Sequence, residues 1–298
     1  MRLLAFWGED TIRVGRVDGD AVVVGGPLDP HCGLGEEFQE AIGWRSMDRQ
    51  ERLPLEALEP APILLVPTKV VCVGLNYREH AAEGGRQAPA RPLLFGKFAN
   101  AIVGDGDAVV RPEGTRALDL EVELGVVISQ TARRVPRAAA MDHVAGYVVL
   151  NDISARDWQG NPQALRDGEK GDGQWLRAKG ADTFLPMGPV LVTTDELDPA
   201  AGLRLRSWRT DGEGLVHLMQ DGNTADMIWD VPALIEFISS VITLEPGDVV
   251  ATGTPAGVGV FREPPVFLEP GDSVRCEIEG IGSVENPIID WSDVVAEG

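Results

Sequence analysis

The alternation of apolar and polar positions divides this chain mainly into runs of strand length. LLAFW (3–7), TIRVGRV (11–17) and AVVV (21–24) follow a period of two, separated by Gly-Glu-Asp and Asp-Gly-Asp turn signals. The opening segment is therefore expected to be a small β-rich unit. The proline-rich stretch from Leu53 to Lys69 cannot continue as a helix and reads as a connection. Beyond it, VVCVG (70–74), GVVI (125–128), GYVVL (146–150) and GPVLVTT (188–194) have the apolar density of buried strands. LRLRSWRT and LVHLMQ flank Asp211 to Gly214 as the arms of a hairpin, and LEPGD turns at 244–248 and 268–272 each precede another strand-like run. Helical signals are few: a short segment in LNYREHAAEGG (75–85), ended by its two glycines, and an amphipathic stretch over 231–241. Neither an internal repeat nor a βαβ alternation is present. The pattern gives an α+β chain with a unit over 1–65 and a larger one over 66–298.

One stretch breaks the simple picture. In LDLEVEL (118–124), Leu118, Leu120, Val122 and Leu124 share one face, and Asp119, Glu121 and Glu123 share the other. Same-face neighbours on a strand are only about 6–7 Å apart, and GVVI follows at once. Either the acids form a solvated face or a cation holds them together. Asp152, just after the YVVL run, stands at a strand end, where it serves as a helix cap or as a third oxygen ligand. Three carboxylates suit Mg²⁺ or Mn²⁺, hard ions that prefer oxygen, and the lack of a His or Cys cluster argues against zinc.

Of the four histidines, His80 has a carboxylate at helical spacing: Glu83 follows three residues later, on the same face. Such a carboxylate can accept an imidazole N–H, fix the tautomer and raise basicity, as a general base requires; a plain surface pair is the alternative. His143 reads as a helix-end residue, and His31 and His217 have no supporting neighbours. Arg156 and Gln159, three apart, can form a carboxylate-binding pair. Lys179, between two strand-like runs, is by itself an ordinary surface lysine. ATGTPAGVG (251–259) lacks both the P-loop lysine and the dinucleotide glycine spacing, and reads as a tight loop that lets backbone approach a ligand.

Composition narrows the setting. With 298 residues and 44% hydrophobic content the chain can bury a full core. A formal charge of −21 opposes nucleic-acid binding, and an anionic substrate then needs a local basic pocket. No run approaches the length of a membrane span. The N-terminus meets acidic residues too early for a secretory signal. Three cysteines (Cys32, Cys72, Cys276) without CxxC spacing point to packed thiols in a reduced, cytoplasmic protein.

Taken together, VCVGLNYREHAAE, PLLFGKFANAIVGDGD, LDLEVELGVVI, GYVVLNDISARDWQ, KGADTFLPMGP, GNTADMIW, ITLEPGDVVATGTPAGVG and LEPGDSVRCEIEGIG resemble, in order, the fumarylacetoacetate hydrolase family. The likeness, from about Val70 to Ile288, is to its acylpyruvate hydrolases and related isomerases and decarboxylases. It implies a mixed β-roll, usually dimeric, after a small N-terminal domain. It implies Glu121, Glu123 and Asp152 as ligands of one Mg²⁺ or Mn²⁺ per subunit, with Asp119 behind them or on the surface. It further implies His80 with Glu83 as a water-activating dyad on a mobile lid, Lys179 as catalytic, and Arg156, Gln159 and Thr254 as substrate contacts. The activity implied is cleavage of a C–C bond in an acylpyruvate-like 2,4-diketo acid, the leaving carbanion emerging as an enolate on the ion. An oxaloacetate-type decarboxylase or hydroxymuconate-type isomerase using the same site is the alternative. The polar run between Gln159 and Gln174 is expected to be a flexible loop near the site entrance.

Overall fold

The computed structural model describes residues 1–9, 11–27, 51–63 and 66–295; His31 and Cys32 lie outside them. A ten-stranded mixed sheet forms the centre. We number its strands in chain order: β1 (Arg2–Trp7), β2 (Ile12–Asp18), β3 (Ala21–Pro27), β4 (Arg52–Pro54), β5 (Val70–Gly74), β6 (Leu93–Lys97), β7 (Val122–Ile128), β8 (Val144–Asn151), β9 (Val190–Thr193) and β10 (Val249–Ala251). Their order across the sheet is β4-β3-β2-β1-β9-β8-β7-β10-β5-β6. Pairing is antiparallel except between β10 and β5. The N-terminal strands join this sheet directly, through Leu3 opposite Leu191 in the β1–β9 pair.

Strand β7 has no wet face. Val122, Leu124, Val126 and Ile128 pack into one apolar cluster with Tyr147 and Val149 of β8, while Val127 packs on the other side with Val148 and Leu150. Burial on both faces explains the unbroken GVVI run. A second sheet of five strands covers one flank; it contains the expected hairpin, Arg204–Thr210 with Val216–Asn223. Both LEPGD turns lead into strands, β10 and Ser273–Ile278.

Helices are short: α1 (Arg78–Glu83), α2 (Arg156–Gln159), α3 (Trp175–Lys179), α4 (Val231–Ser239) and α5 (Trp291–Val295). Helix α4 is capped by Asp230, whose side chain accepts the Ala233 N–H. Lys179, placed by sequence between strands, instead closes α3. Cys72 and Cys276 are buried free thiols, as their lack of pairing motifs indicated.

Candidate active site

The site is built where the LDLEVEL strand fails to run straight. Leu118–Asp119 pairs with Ser154–Ala155, and β7 begins only at Val122. Between them, three successive backbone N–H groups leave the ladder for side chains: Leu120 to Asp119 Oδ1 (2.9 Å), Glu121 to Asn151 Oδ1 (3.0 Å) and Val122 to Gln220 Oε1 (3.0 Å). Such substitutes keep buried backbone satisfied through the break. All of Leu118 to Leu124 is buried, acids included, so neither a solvated acidic face nor a single wet side exists. Asp119 is not a surface residue. Its carboxylate accepts from Arg156 Nε at 2.9 Å and from the Gly259 and Val260 N–H groups.

Register then brings the other acids together. Glu123 lies opposite Leu150, and the Asp152 N–H bonds to the Glu121 carbonyl at 2.9 Å. One carboxylate oxygen each from Glu121, Glu123 and Asp152 fall within 4.8 Å of one another. Like charges this close in a dry site need compensation.

Three buried cations supply part of it. Lys179 Nζ bonds Glu121 Oε2 (2.8 Å) and Asp152 Oδ2 (2.7 Å). Arg156 reaches Glu121 Oε1 at 2.6 Å, and Lys97 Nζ lies 2.8 Å from Asp152 Oδ1. Burial alone would lift the Glu121 carboxyl, but Arg156, Lys179 and His80 hold it well below the usual carboxylate range. Burial opposes the Lys179 charge, yet Asp152 and Glu121 outweigh it and raise its pKa.

Lys97 was not marked by sequence. Its ammonium also donates to the carbonyls of Ile153 (3.1 Å), Phe184 (2.7 Å) and Lys179, tying the end of β6 to the Asp152 turn and to α3. A single lysine inside PLLFGKF was the available signal, and it gave no depth.

Glu123 is treated differently. It accepts the Gly253 N–H at 2.9 Å but has no cation paired with it among the described residues. Burial, then Asp152 and Glu121, push its carboxyl well above the ordinary value. With Glu123 ionised, as a bound cation requires, Asp119, Glu121, Glu123 and Asp152 outnumber Lys97, Arg156 and Lys179 by one negative charge. The all-oxygen donor set fits a hard divalent cation, which would turn that excess into one net positive charge, the sign an anionic substrate requires. Glu121, Glu123 and Asp152 are the residues that would hold it.

Facing the acids, α1 carries His80 and Glu83. His80 Nδ1 lies 2.7 Å from Glu83 Oε1, and the second Glu83 oxygen accepts the Gly257 N–H at 2.8 Å. The glycine loop expected to approach a ligand thus holds the site's own acids: Gly253 serves Glu123, Gly257 serves Glu83 and Gly259 serves Asp119. Gly257 has φ +107°, and a Cβ there would stand 2.4 Å from the Met219 carbonyl.

A cleft partly open to solvent is lined by His80, Glu121, Glu123, Arg156, Gln159, Lys179 and Thr254. Gln159 Oε1 accepts from Arg156 at 3.2 Å. The Thr254 hydroxyl donates to the Val122 carbonyl (2.9 Å) and accepts from Gln220 (2.6 Å), so its proton is already committed. Gly160 and Asn161, which open the polar run after Gln159, also line the cleft.

A buried three-carboxylate centre opposite an oriented histidine, on a mixed β-roll, is the framework of an enzyme whose oxygen donors fit a divalent cation. The chain belongs to the fumarylacetoacetate hydrolase family: residues 69–289 match the model described as fumarylacetoacetate (FAA) hydrolase C-terminal. It is 45% identical over 223 residues to the mitochondrial oxaloacetate tautomerase of Xenopus laevis, across 75% of this chain and 66% of that protein. The chain thus spans about two thirds of that relative's length. Among solved structures, a fumarylacetoacetate hydrolase from Exiguobacterium antarcticum aligns with a TM-score of 0.79 and 33% identity, over 97% of this chain and 99% of that one. The 5-carboxymethyl-2-hydroxymuconate delta-isomerase of Mycobacterium smegmatis aligns with a TM-score of 0.76 and 32% identity, over 97% and 100%.

Proposed function

We propose that this protein is a divalent-metal-dependent enzyme of enolisable 2-keto acids, and that its reaction is a proton shift in an oxaloacetate-type acid. The observation that carries the reading is the buried Glu121–Glu123–Asp152 centre, whose Glu121 and Glu123 line one cleft with His80, itself paired with Glu83. With Nδ1–H directed at Glu83, the His80 Nε2 atom keeps its lone pair and acts as the base. It takes the C3 proton of the keto form while the enolate oxygen gains a proton from water; in reverse, the imidazolium returns its proton to C3 and the enol O–H proton leaves to water. Glu83, fixed by Gly257, stabilises the imidazolium formed in between. Arg156 and Lys179 orient the substrate carboxylate and make the floor of the cleft attractive to an anion in a chain of charge −21. Mg²⁺ or Mn²⁺ at the three carboxylates would polarise the substrate oxygens as charge develops.

The oxaloacetate tautomerase and delta-isomerase names of the relatives support this order of preference. The His80–Glu83 pair favours a second reading as well, because the same base can deprotonate water for C–C hydrolysis of an acylpyruvate. Exposed Phe98, Leu176 and Trp291 support a homodimer; a sedimentation mass of one subunit would remove that part. The decisive assay follows enol–keto interconversion of oxaloacetate, pyruvate release from oxaloacetate, and acylpyruvate cleavage, each with Mg²⁺, Mn²⁺ and EDTA. Metal-dependent ketonisation well above the other two rates is expected. Acylpyruvate cleavage as the fastest reaction would transfer the assignment to the hydrolase, and activity indifferent to chelation would end both.

A further inference from the structure

We propose that Arg86 selects dicarboxylic keto acids, its guanidinium at the cleft mouth binding the carboxylate remote from the 2-oxo group. The proposal deepens the keto-acid reading above and rests on it. Arg86 lines the same cleft as His80, Glu121 and Glu123. It is exposed whereas they are buried, which puts it at the rim and them at the floor.

The other cleft cations are already engaged by the protein's own acids. Arg156 is shared among Asp119, Glu121 and Gln159, and Lys179 between Glu121 and Asp152. Arg86, by contrast, makes no side-chain hydrogen bond or ion pair among the described residues. In a chain of formal charge −21, an arginine that lines a cleft without a carboxylate partner is matched to an acid that arrives with the ligand.

Its backbone is nonetheless anchored. The Arg86 N–H bonds to the Ala81 carbonyl at 2.9 Å, and Gly85, at φ +66°, turns the chain back to make that bond. Arg86 is therefore fixed to the helix that bears His80 and Glu83. Phe95, Trp175 and Phe261 form an apolar part of the lining suited to the carbon chain between two polar ends. An acid with one carboxylate at the floor and a second at the rim gives Arg86 the partner that the protein does not supply; a monocarboxylate leaves Arg86 in water.

The test measures binding to the Mg²⁺-loaded protein by isothermal titration, with acid pairs of equal chain length: oxaloacetate against 2-oxobutyrate, and 2-oxoadipate against 2-oxohexanoate. Wild-type protein, R86Q and R86K are compared, with melting temperature as the folding control. Wild-type protein is expected to prefer the dicarboxylate of a pair by roughly tenfold. R86Q should abolish that preference by weakening the dicarboxylate alone, the monocarboxylate changing by less than about twofold, and R86K should keep part of it. Equal wild-type affinities, a preference that survives in R86Q, or equal weakening of both acids would each overturn the assignment, as would failure of the dicarboxylate to bind. Because binding is read without turnover, loss of preference in R86Q upholds Arg86 even if no acid reacts. Turnover with a preference untouched by R86Q removes Arg86 and leaves the reaction standing.

Discussion

Lys97 Nζ lies 2.8 Å from Asp152 Oδ1, and both side chains are completely buried. The same ammonium holds three backbone carbonyls around the site, so it links charge balance to the placing of Asp152 and Lys179. Replacing Lys97 by Met strands those carbonyls and part of the Asp152 charge. A loss of about 3 kcal/mol or more is expected, as for other buried pairs deprived of one partner. Urea denaturation of the variant measures it; a change below about 1 kcal/mol would mean that water has replaced the ammonium.

Glu83 is expected to matter for rate and not for the cation. Glu83→Gln keeps the size of the side chain and an oxygen for the Gly257 N–H, but removes the charge that fixes His80. The turnover number for oxaloacetate ketonisation should fall by roughly 10²-fold or more, with Mn²⁺ affinity unchanged. Steady-state kinetics beside a Mn²⁺ titration separate the two, and an equal loss in both would refute the role.

Glu123 sets a pH dependence whose sign follows from its raised pKa. A carboxyl that keeps its proton must release it when a dication binds, so apparent Mg²⁺ or Mn²⁺ affinity should rise with pH, by at most about tenfold per unit. Calorimetry in two buffers of different ionisation heat reads the proton released. In the metal-free protein the folded state holds a proton that the unfolded chain loses near its ordinary value of about 4.3. Stability should therefore decline as pH rises from there through the folded pKa of Glu123. Glu123→Gln should remove this decline and weaken the cation strongly.

Gly257→Ala joins a positive φ to a clash with the Met219 carbonyl. It should cost about 2 kcal/mol or more in stability and lower turnover by displacing the N–H that anchors Glu83. Thermal melting and kinetics together test it, and a silent substitution would show that the loop can shift freely.

Much of this site could be read from residue order. The row of Glu121 and Glu123 entering an apolar run left a solvated face or a cation site open and only the family resemblance implied the second, while the His80–Glu83 spacing pointed to a contact that the structure shows at 2.7 Å. The fold class could be read because strand runs and turn signals are local properties. What sequence hid depends on depth and on distant partners. Asp119 shares the pattern of its neighbours and becomes buried only because the 259–260 backbone turns over it. The break at Leu120–Glu121 relies on Asn151 and Gln220, about 30 and 100 residues away, as 3.0 Å partners to Glu121 and Val122. Lys97 and Arg86 are single cations in ordinary text, and only packing divides them into one sealed below the floor and one at the rim.

The pairing of β1 with β9 has a consequence for how the chain resists self-association. Strand β9 is the next neighbour of β8, which ends beside Asp152. Without β1, the hydrogen-bonding groups of Leu191 and Val192 would lie bare along a flat apolar border, a template for another molecule's strand. The amino-terminal strands therefore act as a selvedge along this border, and among the described residues the sheet's margin on that side is the three-residue strand Arg52–Pro54, too short to recruit a stranger.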